Sequence, residues 1–217
     1  VALAAAATLL ALGAAAERLA PGGIVPGSPT ATHPVRDLDA AGAAATRFAD
    51  ALDLEVARVM RFDNDFYVQL SDERGRPATE LLVDPQTGAV WFEPGAATVW
   101  NARFGSLTPG AWTIRADAPP KGDLAAMPSR VAPEPVAPLL PEDAAARARA
   151  WLSTRSADVH VAGTARFPGY YTLLLGREGR ITGMLSVNAT SGEVWYHSWH
   201  GAFRGMSGAP PRPEPTE

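Results

Sequence analysis

The chain repeats itself once, and this constrains its fold more than any other feature. At an offset of 104 positions, residues 66–92 align without a gap to residues 170–196. Nine of these 27 positions are identical: Tyr67/Tyr171, Leu70/Leu174, Gly75/Gly179, Arg76/Arg180, Leu81/Leu185, Val83/Val187, Gly88/Gly192, Val90/Val194 and Trp91/Trp195. The same offset pairs Asp39-Ala40-Ala41 with Asp143-Ala144-Ala145 and Ala44 with Ala148, giving 13 identities over 54 positions. A unit of this length that occurs twice is a duplicated small domain rather than a solenoid repeat.

Each copy opens with a helical pattern. In the first, Asp37 or Asp39 can accept from the free N–H groups of a helix start, and Ala41, Ala44/Ala45, Phe48 and Leu52 recur at helical spacing. In the second, Pro141 suits the first helical position, Glu142-Asp143 complement the dipole, and Ala144, Ala148 and Trp151/Leu152 form the stripe. Strands are expected at about 56–62, 66–70, 79–83 and 89–92, with a counterpart of the first at 159–167. The turn Asp84-Pro85-Gln86-Thr87-Gly88 combines a preset dihedral at Pro with a positive φ at Gly, and Asp84 reads as a turn cap rather than a catalytic carboxylate. The expected class is α+β: two tandem domains, each a helix packed on a small antiparallel β-meander, with an apolar leader helix before them.

Composition bears on what surrounds these units. Among 217 residues there are 42 Ala, 20 Gly and 20 Pro, so much of the chain has little side chain to pack. Residues 1–16 are apolar apart from Thr8, and Ala14-Ala15-Ala16 fits a small-x-small cleavage pattern. Residues 1–20 are therefore expected to be a signal peptide or a membrane anchor, placing the rest outside the cytoplasm at a periplasmic or extracellular face. Zero Cys excludes disulfide scaffolds and thiolate chemistry, and a net charge of −4 with scattered Arg offers no footprint for nucleic acid.

A helix, an aromatic-Tyr strand, a polar Gly turn, an apolar strand and D-P-x-T-G-x-V together resemble the PepSY domain. That domain is found in propeptides of thermolysin-like metalloproteases and in stand-alone exported bacterial proteins. Tyr67, Gly75, Val83-Asp84, Thr87-Gly88 and Val90 carry the resemblance in the first copy. The second keeps Tyr171, Gly179, Val187, Gly192 and Val194 but has Asn188-Ala189 for Asp-Pro and Ser191 for Thr. The expected organisation is a leader at 1–20, a PepSY-like repeat at 37–95, an aromatic then Pro-rich linker at 96–140, a second repeat at 141–203 and a Pro-rich tail at 204–217. Large aromatics at 99–105 and 111–114 are expected to pack the first part of the linker against a repeat.

Strand parity singles out the candidate binding residues. If Leu70, Leu81, Val83 and Val90 face the helix, Tyr67 and Trp91 point away from it, as do their counterparts Tyr171 and Trp195. Those outer faces either cover each other within one compact protein or bind a partner, with Trp199 close by as a further aromatic. His197 and His200 are candidate metal ligands, but three residues apart in a strand they lie on opposite faces. A bend near Gly201 would be needed to join them, and no acid or Cys stands close in sequence to complete a set. No motif of a known catalytic centre is present. The resemblance implies no catalytic residue, and no cofactor is expected. The leading expectation is a non-enzymatic, extracytoplasmic protein-binding or inhibitory module, with a peptidase as one partner class. The alternatives are an accessory subunit of a membrane-bound electron-transfer or photosynthetic complex, attached through residues 1–16, or a metal-handling protein using His197 and His200.

Overall fold

A computed structural model describes residues 33–105 and 138–207. The first half contains helix α1 (Leu38–Asp50), strands β1 (Glu55–Phe62), β2 (Phe66–Ser71), β3 (Pro77–Val83) and β4 (Val90–Phe92), and a single-turn helix α2 (Ala96–Val99). The second half contains α3 (Pro141–Ser153), β5 (His160–Phe167), β6 (Tyr170–Arg177), β7 (Arg180–Asn188), β8 (Val194–Tyr196) and β9 (Phe203–Met206). The protein is α+β with two antiparallel sheets, in the orders β4-β3-β2-β1-β9 and β5-β6-β7-β8. The proposed leader, Trp112 and Ile114, most of the Pro-rich strap and the end of the tail lie outside the described residues. Among those described, no helix is long and apolar enough to cross a membrane.

Local chemistry explains where the elements begin. Asp37 caps α1, its carboxylate accepting from the Ala40 N–H at 2.8 Å. Pro141 starts α3, where a missing N–H costs nothing. The turns before β4 and β8 use one device in two chemistries. Asp84 accepts from the N–H groups of Gln86 and Thr87, and Asn188 accepts from those of Thr190 and Ser191. Gly88 and Gly192 close these turns at φ of 69° and 73°.

Each helix covers one face of its sheet. Ala41, Ala44, Ala45 and Ala49 let α1 sit close to Val59, Phe66, Val68, Leu70, Leu81 and Val83. Ala144, Ala148 and Leu152 of α3 pack on Tyr171, Leu173, Leu175, Leu185 and Val187. The other faces of the two sheets meet. Met60, Phe62, Tyr67 and Leu82 from the first half enclose a third core with Leu174 and Met184 from the second. The layers therefore run helix, sheet, sheet, helix.

Two expectations need correction. In the first copy, parity places Tyr67 and Trp91 on the face turned away from α1, as the alternation requires. Tyr171, aligned with Tyr67, instead points towards α3 and donates its hydroxyl to the Leu139 carbonyl. The cross-strand pairs give the reason. Val83 pairs with Phe66, whereas its equivalent Val187 pairs with Tyr171, so β6 is shifted one residue against the gapless alignment. A one-residue slip exchanges the two faces of a strand. The second correction concerns the tail expected from 204 onward: Phe203–Met206 forms β9 on the open edge of β1, where Met206 pairs with Met60 and Phe203 with Phe62. Apolar side chains at 203 and 206 cover the between-sheet core, which a solvated tail would leave exposed.

The start of the expected linker packs between the halves. Ala96 and Ala97 of α2 lie on Phe167 and Tyr170, and the Ala102 N–H donates to the Pro168 carbonyl at 2.9 Å. Gly169 makes this approach possible. Its φ is +96°, and a Cβ there would lie 2.2 Å from the Trp100 carbonyl oxygen. Gly169→Ala should therefore destabilise the protein by about 3 kcal/mol, combining left-handed strain with an overpacked contact. Urea unfolding of the variant beside wild type measures this, and a change under 1 kcal/mol would mean that the junction yields freely.

Candidate functional site

A set of polar side chains is buried where the two sheets meet. Glu93 follows β4 and His197 follows β8, so these residues occupy equivalent positions in the two copies. The Glu93 N–H donates to the Glu80 carbonyl and the His197 N–H to the Met184 carbonyl, which extends the edge strands far enough to aim both side chains inward. His200 sits in the turn leading to β9, and Asp65 just before β2. The turn at Ser198-Trp199 brings His200 back beside His197, and Gly201, with φ of +75°, then leads the chain on towards β9.

Glu93 Oε1 lies 2.9 Å from both His200 Nε2 and His197 Nδ1. The first contact is a hydrogen bond. The second has the distance without the alignment, so His197 Nδ1 has no hydrogen-bond partner, and neither does Glu93 Oε2. On the far side of each ring the partners are well defined. His200 Nδ1 is 2.9 Å from Asp65 Oδ1, and His197 Nε2 is 3.0 Å from Ser186 Oγ, which contacts Thr172 Oγ1 at 3.1 Å. Phe62 stacks on His200 and Trp199 on His197, sealing the group from water. Glu93 is 1 % exposed and His197 3 %.

Burial and charge act in opposite directions here. Burial alone would raise the Glu93 carboxyl, but the neighbouring His197 and His200 outweigh it and hold the group at about 2. Burial would lower His200, but its bonds to Asp65 and Glu93 carry it to about 9. Asp65 is raised because its loss of water outweighs the attraction of His200. A second buried carboxyl, Glu80, accepts from the hydroxyls of Tyr67 at 2.6 Å and Tyr170 at 2.8 Å. Burial, then the charge of Glu93, push Glu80 well above the usual carboxyl range, which favours its neutral form.

The candidates drawn from the sequence fall in different places. His197 and His200 are brought together, and the acids lacking nearby in sequence arrive from the other half as Glu93 and Asp65. Tyr67 and Tyr171, at 1 % and 0 % exposed, are enclosed on opposite faces of their sheets, so neither can meet a partner directly. Trp91 and Trp199 are half-buried against the between-sheet core. Trp195 and its neighbour Tyr196 are 37 % and 39 % exposed on β8, which pairs only with β7 among the described residues. Trp195 meets Trp100 edge-on, while Tyr196 stacks on Trp151 with Arg155 over the same indole. Sequence reasoning missed Asp65, Glu80, Glu93, Tyr170 and Ser186. Glu93 carried a signal as the repeat-equivalent of His197, and Glu80 carried another as an acid on the same strand face as Leu82.

No protein-family model, curated protein or solved structure matches the chain.

Glu80 gives a test of the buried chemistry. Glu80→Ala should cost about 3 kcal/mol, because two buried tyrosine hydroxyls lose their acceptor. Glu80→Gln keeps a partner for each hydroxyl and removes the need to take up a proton on folding. A carboxyl whose folded pKa is raised loses stability as pH climbs above its unfolded value, here near 4.5. Glu80→Gln should therefore melt above wild type at about pH 7, with the difference shrinking at about pH 5. Thermal unfolding at the two pH values checks both the sign and the trend.

Proposed function

We propose that the chain is a non-enzymatic, extracytoplasmic protein-binding module built from two PepSY-like units fused into one sandwich. The observation that carries this reading is the free edge of β8, which presents Trp195 on one face and Tyr196 on the other. A short edge strand with exposed aromatics on both sides suits addition of an extended segment of a partner. The open backbone supplies hydrogen bonds, and the aromatics supply anchors for alternate side chains. Trp151 and Arg155 extend the patch from α3, adding a guanidinium beside the rings. The helix-plus-meander repeat supports the PepSY-like part of the reading, and the apolar run at 1–16 supports a place outside the cytoplasm. Under this reading the buried polar group between the sheets holds the two halves in register and takes no part in turnover.

Trp195 and Tyr196 are exposed enough that replacing both by Ser should leave the melting temperature within a few degrees of wild type. Loss of two aromatic anchors at an interface centre should weaken association by about 2 kcal/mol or more. A photo-crosslinking residue at position 196, in cells that make the protein, should capture a discrete envelope protein. The same residue at position 178, on the opposite end of the sheet, should not. Equal capture at both positions, or capture undiminished by Trp195→Ser in a folded protein, would defeat the proposal.

A further inference from the structure

We infer that Glu93, His197 and His200 form a binding site for one divalent late first-row metal ion of the zinc class, acting as a staple between the two halves. The observation is independent of the β8 edge. Three potential ligand atoms, Glu93 Oε1, His197 Nδ1 and His200 Nε2, all lie within 4.8 Å of one another. They come from two segments far apart in the chain: Glu93 at the end of β4, and His197 and His200, three residues apart, in the connection from β8 to β9.

The hydrogen bonds around the site favour an ion over protein atoms alone. If Asp65 accepts the proton on His200 Nδ1, the lone pair of Nε2 faces the Glu93 carboxylate. If Ser186 accepts the proton on His197 Nε2, the lone pair of Nδ1 faces the same oxygen. Three electron-rich atoms then converge on one point in a place closed to water. Protons on the two imidazoles relieve the contacts to Glu93 Oε1, but His197 Nδ1 remains out of hydrogen-bond alignment and Glu93 Oε2 has no hydrogen-bond partner. A cation relieves all of them. Carboxylate and hydroxyl groups on the outer nitrogens are the arrangement that fixes the tautomer and aim of metal-binding imidazoles.

The donors select the ion. Two imidazoles and a carboxylate suit Zn²⁺ and Co²⁺, whereas Ca²⁺ and Mg²⁺ require shells of oxygen, and a soft Cu⁺ ion prefers thiolate or thioether sulfur. Bonds of about 2.0–2.1 Å in tetrahedral geometry separate neighbouring ligand atoms by roughly 3.3 Å. The two 2.9 Å contacts to Glu93 Oε1 need to open by a few tenths of an ångström, and the two imidazole nitrogens, which lie within 4.8 Å of each other, have to close towards the same separation. Glu93 Oε2, which has no hydrogen-bond partner, becomes a fourth donor if the carboxylate binds the ion through both oxygens.

The test uses the full chain, free of any affinity tag, stripped with a chelator and titrated with Zn²⁺ alone and with Co²⁺ alone. One ion per chain is expected, with visible d–d bands for Co²⁺ and a melting temperature that rises with free Zn²⁺. His197→Gln should abolish stoichiometric uptake. Ser186→Ala, which removes only the outer partner of His197, should weaken affinity about 10-fold. Circular dichroism of the metal-free variants establishes that both are folded, and if His197→Gln is not, Ser186→Ala decides alone. Absence of stoichiometric uptake of either ion by wild type would overturn the inference. So would affinity unchanged in a folded His197→Gln or Ser186→Ala protein.

Discussion

Each sheet of this protein is apolar on both faces, and one helix can cover only one of them. The rest of the structure follows from that shortage. Units of about 55 residues bury too little surface to be robustly stable alone, and here each would leave a large face in water. Met60, Phe62, Tyr67 and Leu82 on one side and Leu174 and Met184 on the other solve the problem together. The second half presents an unsatisfied face of its own, and packing the two against each other satisfies both. The short helix α2 and strand β9 then close the margins of the contact.

Burying charged groups in such a contact is expensive unless each finds a partner, and a buried ion pair adds little stability over an apolar substitute. What these groups add is a single allowed register. Asp65 and Glu93 of the first half meet His200 of the second at hydrogen-bonding distance, and a slide of the sheets by one residue would strand all three. The neighbouring carboxyls Glu80 and Glu93 are pushed in opposite directions, one towards its neutral form by burial between tyrosines and the other towards its charged form by histidines. The two acids therefore divide the work. One behaves as an uncharged hydrogen-bonding group, and the other as an anion that requires a positive neighbour.

Much of the architecture was legible in the sequence, because it is written in local periodicity. The helix starts at Asp37 and Pro141, the capped turn at Asp84 and the outward aim of Tyr67 all follow from rules that act over a few residues. The same reasoning failed at Tyr171. Identity in a gapless alignment implied a shared face, but β6 pairs with β7 one residue out of step with the pairing of β2 and β3, which turns the strand over. The site was less legible for a different reason. His197 and His200 stood out as histidines, but Asp65 reaches His200 across 135 positions of chain. Nothing in either segment alone records that meeting. It depends on how the two sheets dock, which no spacing rule encodes.

Strand β9 ties the end of the described chain to its beginning. Arg204 meets Asp63 across a separation of 141 residues, and Phe203 and Met206 cover a core whose other walls were synthesised far earlier. During synthesis the first half therefore emerges with the edge of β1 bare and its inner face open. It has to wait for residues 203–206 before its sheet is complete. Such long-range closure makes folding slow and leaves an exposed edge in the interval. Closure of this edge is thus the last step of assembly, and the core shared by the two halves is completed only then.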